Sequence, residues 1–344
     1  MMIRAVDLFC GVGGLTTGLR MAGIEVAAGI DLDKRCQYAY TENNPGSIFV
    51  LQDAGTLKAQ DIMEHFADAP RTLLAGCAPC QPFSTYSRTG QGSKDWPLLS
   101  HFGRLVEQVG PDFVTMENVP GLSYHQVYRD FIALLKKNNY HVTVKERVYC
   151  PDYGVPQTRV RLVLLASKYG EIAFPEPTHR PDEYVSVEEK IGALPALAAG
   201  EQDPHDPLHF ASRLSETNMK RMKASKPGGT WKDWPPDLQA ECHKQKSGST
   251  YQSVYGRMTW DDPAPTITTQ CTGFGNGRFG HPDQHRAITL REAALLQTFP
   301  QGYKFTKPDQ KIEIKTVSRL IGNAVPVRLG EVIGQALVKH EQAL

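Results

Sequence analysis

Short apolar runs alternate with amphipathic stretches from the first residues of the chain. The segment IRAVDLF (3–9) has the pattern of a strand. CGVGGLTTGLRMAG follows, a glycine turn running into a helix that Gly23 ends. IEVAAGID (24–31) predicts a second strand, and DKRCQYAYTENN a helix stopped by Pro45. SIFVLQD (47–53), TLLAGC (72–77) and DFVTMEN (112–118) predict further strands. QVYRDFIALLKKN (126–138) predicts an amphipathic helix, followed by strand patterns at 140–149 and 161–167. This strand–helix rhythm predicts an α/β fold with a mostly parallel, doubly wound sheet. After Phe174 the rhythm breaks, prolines cluster and strand signals shorten. A second, smaller, irregular domain is expected over 175–300. The tail VPVRLGEVIGQALVKH returns to helical periodicity, so 1–174 plus 301–344 is expected to form the first domain.

Composition narrows the class. The 344 residues are 40% hydrophobic and 22% charged, as in an ordinary globular protein. No run approaches the roughly 18 apolar residues of a membrane helix. The N-terminus lacks the pattern of a secretory signal, so a cytoplasmic protein is expected. Seven cysteines, odd in number and irregularly spaced, argue against a disulfide framework. No second close Cys/His pair completes a zinc site, so no metal is expected. The net charge of +1 means that any nucleic-acid contact must come from a local patch. Residues 213–250 offer one, with eight Lys/Arg against four Asp/Glu, interleaved with Trp231 and Trp234.

In such sheets ligands bind at the carboxyl ends of strands near the topological switch point. The first strand ends in DLFCGVGG (7–14), whose glycines allow a tight turn and a close backbone approach to a nucleotide. The spacing fits neither GxGxxG nor a phosphate loop. Asp31 ends the second strand, where an acid can bind both ribose hydroxyls. Asp53 ends the third, where it can accept from an adenine amino group. Together they point to an adenosine-containing cofactor without clear phosphate recognition, a description that S-adenosylmethionine fits. The fourth strand ends in GCAPCQPFS (76–84). Its two cysteines allow a redox pair, half a metal site, or a nucleophile beside an incidental neighbour. Glu117 ends the fifth strand, and a thiol near a carboxyl group suits covalent catalysis. Gln157, Arg159 and Arg161 alternate along a strand start and can share a face.

These segments, in this order, resemble the C5-cytosine DNA methyltransferase family, of bacterial or phage, restriction–modification type. DLFCGVGGL resembles its cofactor motif, PCQPFS its nucleophile motif, ENV (117–119) its third signature and QTRVR (157–161) its QxRxR signature. RAITLREAALLQTFP (286–300) and GNAVP (322–326) resemble the last two, so the resemblance spans nearly the whole chain. It implies a Rossmann-like methyltransferase domain and a target-recognition domain, here the 175–300 region. It implies Cys80 as nucleophile, with Glu117, Arg159 and Arg161 completing the catalytic set, and Cys77 as strand packing. For S-adenosylmethionine it implies Leu8, Phe9, Gly11, Gly13, Gly14, Asp31, Asp53, Pro79, Leu98, Asn323 and Ala324. Leu32 joins them where the family often has a large aromatic residue. Cys10 and Cys150 stand where alanine is common. The resemblance also implies a double-stranded DNA substrate whose target base is flipped out. A closing loop is expected over 83–97, with Ser84, Ser87, Arg88 and Lys94 on DNA and Tyr86 as a wedge. KPGGTWKDWP and GRMTWDDPAPTIT bring Gly228, Gly229 and Arg257 to the same interface. The implied activity is methyl transfer to C5 of cytosine, for protection of DNA from restriction. The implied enzyme is a cytoplasmic, nucleoid-associated monomer with no obligate protein partner. The alternatives are a tRNA cytosine-5 methyltransferase and a non-catalytic DNA-binding relative; the latter would be expected to have lost Cys80 or Glu117.

Overall fold

A computed structural model describes residues 3–79, 97–245, 248 and 250–344. Seven strands form one sheet: β1 (Ile3–Leu8), β2 (Glu25–Asp31), β3 (Ile48–Leu51), β4 (Arg71–Gly76), β5 (Phe113–Asn118), β6 (His141–Tyr149) and β7 (Val160–Ser167). Their order is β3-β2-β1-β4-β5-β7-β6. The first five are parallel to one another, and β7 runs antiparallel to both β5 and β6. The mostly parallel sheet with flanking helices is the expected architecture, with β7 inserted backwards.

The central strands are apolar on both faces because helices cover both. Ile3 and Ala5 of β1, Leu73 and Ala75 of β4, and Val163 and Leu165 of β7 share one cluster. That cluster is closed by α1 (Gly14–Met21) and by the long C-terminal helix Val327–Gln342, through Leu15, Leu19, Leu329, Ile333 and Leu337. The alternate residues Val6, Leu8, Leu74, Val114, Met116, Leu162 and Leu164 face the other side. There they meet α3 (Ala59–Phe66), α4 (Pro97–Val109) and α5 (Gln126–Lys137) through Phe66, Phe102, Leu105, Phe131 and Leu135. The helix α2 (Gln37–Asn43) lies between β2 and β3 in the chain.

Beyond β7 come α6 (Val187–Ile191), α7 (Glu216–Ala224), α8 (Glu241–Lys244), α9 (Leu290–Leu296) and α10 (Ile314–Asn323); the C-terminal helix is α11. Two clusters organise this part. Met222, Trp231, Trp234, Phe274 and Ala287 form a small aromatic core. A larger cluster joins α6, α9 and α10 to Val12, Cys36 and Ala39 of the first half. The segment 286–300, inside the span expected for the second domain, therefore shares a core with Val12, just after β1, and with Cys36 and Ala39 at the start of α2. No helix among the described residues is long and apolar enough to cross a membrane.

Candidate active site

The strand order reverses beside β1, which pairs with β2 on one edge and β4 on the other. That switch point is where the carboxyl ends of an open α/β sheet leave a crevice. Leu8 is buried at the end of β1, and Phe9 turns the chain with a positive φ of 58°. Gly13, at φ 92°, caps α1. A Cβ there would lie 2.6 Å from the Asn44 amide nitrogen, so turn and packing both require glycine. The Gly11 amide donates to Asp31 Oδ2 at 2.8 Å, and the Asp33 amide to Asp31 Oδ1 at 2.8 Å. The ends of β1 and β2 are thereby tied together, and each carboxylate oxygen keeps a lone pair for another donor. Burial raises the Asp31 carboxyl above its ordinary range. Burial also opposes ionisation of Asp33, but Arg35 and Arg319 outweigh it and hold its carboxyl at about 2.

Asp7 lies beneath this turn, 1% exposed. Thr16 of α1 donates to its Oδ2 at 2.7 Å, while Oδ1 has no hydrogen-bond partner. Burial pushes the Asp7 carboxyl up to about 7 against the help of Thr16. Leu32, 67% exposed, presents an apolar side chain directly after Asp31. Asp53 accepts from the Gly55 amide at 2.7 Å, and Leu98 of α4 packs partly buried against the second sheet face. Ala324 follows α10, with Asn323 exposed beside it. The Ala324 carbonyl accepts from Gln297 at 2.9 Å and, at 3.5 Å, from Arg159. A paired acidic strand end, an apolar neighbour and a second acid two residues beyond β3 suit an adenosine with free ribose hydroxyls. The chemistry of this donor set fits S-adenosylmethionine.

The reversed strand brings together the residues that the sequence singled out as candidate catalytic groups. Because β7 is antiparallel to β5, its first residues lie beside the last residues of β5, with Asn118 opposite Leu162. Arg161 Nε thus comes within 3.0 Å of Glu117 Oε1, both largely buried. The N–H does not point at that oxygen, so Oε1 has an ionic neighbour but no hydrogen bond. Cys77, one residue beyond β4, donates its Sγ–H to Glu117 Oε2 at 3.6 Å. Asn118 donates to the Ala78 carbonyl at 2.9 Å and accepts from the Val119 amide at 2.8 Å. It fixes the backbone that leads through the exposed Pro79 toward Cys80.

Arg159 is 4% exposed, and its Nη atoms reach the carbonyls of Ile267 and Ala324. Its Nε has no partner. Burial, then the charge of Arg161, pushes this guanidinium down to about 9. Gln157 is fully buried and donates to the Leu296 carbonyl at 2.8 Å and Gln297 Oε1 at 2.6 Å. The strand start, α9 and the Ala324 turn therefore form one hydrogen-bonded unit.

Cys80, Ser84, Tyr86, Ser87, Arg88 and Lys94 lie outside the described residues. Gly228 is exposed with φ 72°, and Gly229 accepts from Arg278 at 2.7 Å. Gly228, Thr158, Met258 and Arg278 line an open cleft of about 680 Å³ between the strand start and the aromatic core. Arg257 requires a correction. It is 3% exposed, not at a DNA-facing surface, because its guanidinium binds the carbonyls of Met222, His281, Pro282 and Gln284. Sequence reasoning missed Asn118 and Thr16 as positioning groups. Asn118 stood inside the quoted ENV signature, and Thr16 had no signal beyond its place in the first helix.

Comparison with known proteins gives the family and the fold. The model of the C-5 cytosine-specific DNA methylase family matches residues 3–339. The type II methylase M.HgiDII of Herpetosiphon aurantiacus is 49% identical, over 100% of this chain and 97% of that protein. The type II methyltransferase M1.HphI of Haemophilus parahaemolyticus is 31% identical, over 98% and 87%. Among solved structures, Spodoptera frugiperda DNMT2, as a mutant, superposes with a TM-score of 0.67 at 19% identity. The match covers 97% of this chain and 99% of that one and supports the fold alone.

Proposed function

The chain belongs to the family of C-5 cytosine-specific DNA methylases and is a DNA (cytosine-5)-methyltransferase, and we propose that Cys80, Glu117, Arg159 and Arg161 carry out its reaction. The observation that carries this reading is the buried Glu117 carboxyl. One oxygen has a thiol donor and the other lies beside Arg161 without a hydrogen bond. A group so held is ready for a planar base with a donor or acceptor at N3.

Cytosine C5 is a weak nucleophile. The Cys80 sulfur adds to C6, and the ring becomes an enamine with electron density at C5. Glu117 holds or protonates N3 and offsets the charge developing on the ring. Arg161, with the unpartnered Nε of Arg159, binds O2. S-adenosylmethionine, when bound, supplies an electrophilic methyl group. Loss of the C5 proton and departure of the cysteine then restore the aromatic ring. A thiol is mostly protonated at neutral pH, so nearby positive charge or the substrate must activate it.

The cofactor is proposed to lie against Leu8, Phe9, Gly11, Gly13, Gly14, Asp31, Leu32, Asp53, Pro79, Leu98, Asn323 and Ala324. Residues 1–174 plus 301–344 make up the catalytic part and 175–300 the recognition part, with α9 at the seam. Double-stranded DNA is gripped by the 83–97 segment, with Ser84, Ser87, Arg88 and Lys94, and by the Gly228–Gly229 turn. The reading extends to a cytoplasmic, nucleoid-associated monomer that protects DNA from restriction.

The test is covalent trapping. Duplex DNA of mixed sequence containing 5-fluorocytosine is incubated with protein and S-adenosylmethionine. A denaturation-resistant adduct is expected with the natural chain and absent with Cys80→Ala. An adduct that survives Cys80→Ala would remove Cys80 from the reaction. Adducts on substituted tRNA alone would move the substrate to RNA.

A further inference from the structure

Cys77 stands in register with Glu117. Gly76 of β4 pairs with Met116 of β5, so the next residues, Cys77 and Glu117, lie side by side on one face of the sheet. Met116 and Leu74 face the opposite cluster, while Cys77 packs against the cluster that holds Ala75. The thiol is therefore directed at the carboxyl group by the strand pairing itself, and its Sγ lies 3.6 Å from Oε2.

We propose that Cys77 is a positioning residue for methyl transfer, fixing Glu117 through Oε2 so that Oε1 stays turned toward the cytosine. This rests on the reading of Glu117 given above. Two groups restrain the carboxyl, and they differ in kind. Arg161 contributes charge at 3.0 Å but no aligned N–H. The thiol contributes direction, since a donor on Oε2 sets the rotation of the carboxyl plane. Burial, followed by the charge of Glu117, pushes the Cys77 thiol well above its ordinary range, so it keeps the proton it donates. A thiol is a weak donor, which suits a group that must let the carboxyl move as the ring changes charge.

The experiment compares Cys77→Ala, Cys77→Ser and Glu117→Gln with the natural chain. Three quantities are read: thermal stability, KM for duplex DNA and the single-turnover methylation rate. For Cys77→Ala, stability and KM are expected close to the natural values and the rate about tenfold lower, as when a reacting group loses part of its orientation but substrate binding is untouched. Cys77→Ser, whose hydroxyl donates along a shorter bond, is expected to recover most of the rate. A natural rate in Cys77→Ala would overturn the proposal. So would a Cys77→Ser variant as slow as Cys77→Ala, because apolar packing would then be the whole role. Glu117→Gln separates the two levels: a natural rate in that variant would sink the role of Glu117 itself. A rate abolished in Glu117→Gln but kept in Cys77→Ala would sink only the role of Cys77.

Discussion

Arg257 and Lys223 are basic residues near each other on the recognition side, yet they respond to different forces. Lys223 is exposed on α7, whereas Arg257 is buried and makes five hydrogen bonds to backbone carbonyls of four residues. Removing its guanidinium leaves those carbonyls dry and unpaired. Arg257→Ala is expected to lower the unfolding free energy by about 3 kcal/mol, and Lys223→Ala by less than about 0.5 kcal/mol. Urea denaturation of the two variants checks this, and equal stabilities would return Arg257 to the surface. The sequence shows the charge of Arg257 but not its burial, which depends on carbonyls contributed by residues 222 and 281–284. Asp7 illustrates a pH effect. Its carboxyl, near 4 when unfolded, is pushed up to about 7 in the fold by burial. Between those values the folded chain holds a proton that the unfolded chain has released. Its contribution to stability is therefore full below pH 4 and is lost as pH rises toward 7. Relative to the natural chain, Asp7→Asn should gain about 2 kcal/mol of stability between pH 5 and pH 8. Denaturant titrations at both values measure it, and a pH-independent difference would contradict the protonated folded form.

Two elements each have one contact that a single substitution can test. The capping box of α9 joins Thr289 to Glu292, whose carboxylate also binds Arg286 through two bonds of 2.7 Å in full burial. Glu292→Ala strands the Arg286 charge and is expected to cost about 3–5 kcal/mol, readable as a lower denaturation midpoint. The other contact is the crossing of α1 and α11. A Cβ on Gly18 would lie 2.3 Å from the Val327 carbonyl oxygen. Gly18→Ala must push the helices apart, at a cost of about 1–3 kcal/mol, and should weaken S-adenosylmethionine binding, since α1 follows the turn proposed to hold the cofactor. Calorimetric titration with the cofactor decides; unchanged affinity would separate the helix crossing from the site. At this scale the periodic signal served well where it was long, as in α5 and the tail helix. It picked out neither α3, eight residues in a mixed stretch, nor α4, which begins where a polar run ends. The reversal of β7 was not legible because apolar alternation has no direction. That reversal is nonetheless what brings Arg161 to Glu117. Motif order placed residues 117 and 161 in one candidate set, and the topology supplies the reason that they meet.

Across the whole molecule the net charge is only +1, so DNA attraction must be local. Lys220, Lys223 and Lys226 are exposed on and beside α7, around the small aromatic core. Changing all three to Gln should reduce the slope of log affinity against log salt by as much as about 2.7, or about 0.9 for each phosphate no longer neutralised. Fluorescence anisotropy over a salt series gives the slope, and an unchanged slope would move the DNA path off this face. The domain pattern was legible at low resolution only. The 286–300 segment falls within the irregular span by sequence, yet its side chains fill a cluster with Val12 and Cys36. The helix α1 packs against the distant α11, and β1 shares its apolar cluster with residues of that helix. A chain from which α11 has been cut would keep an apolar flank exposed and leave the turn before α1 unsupported. Cleavage ahead of α11 should therefore silence methylation while leaving every strand described above in place.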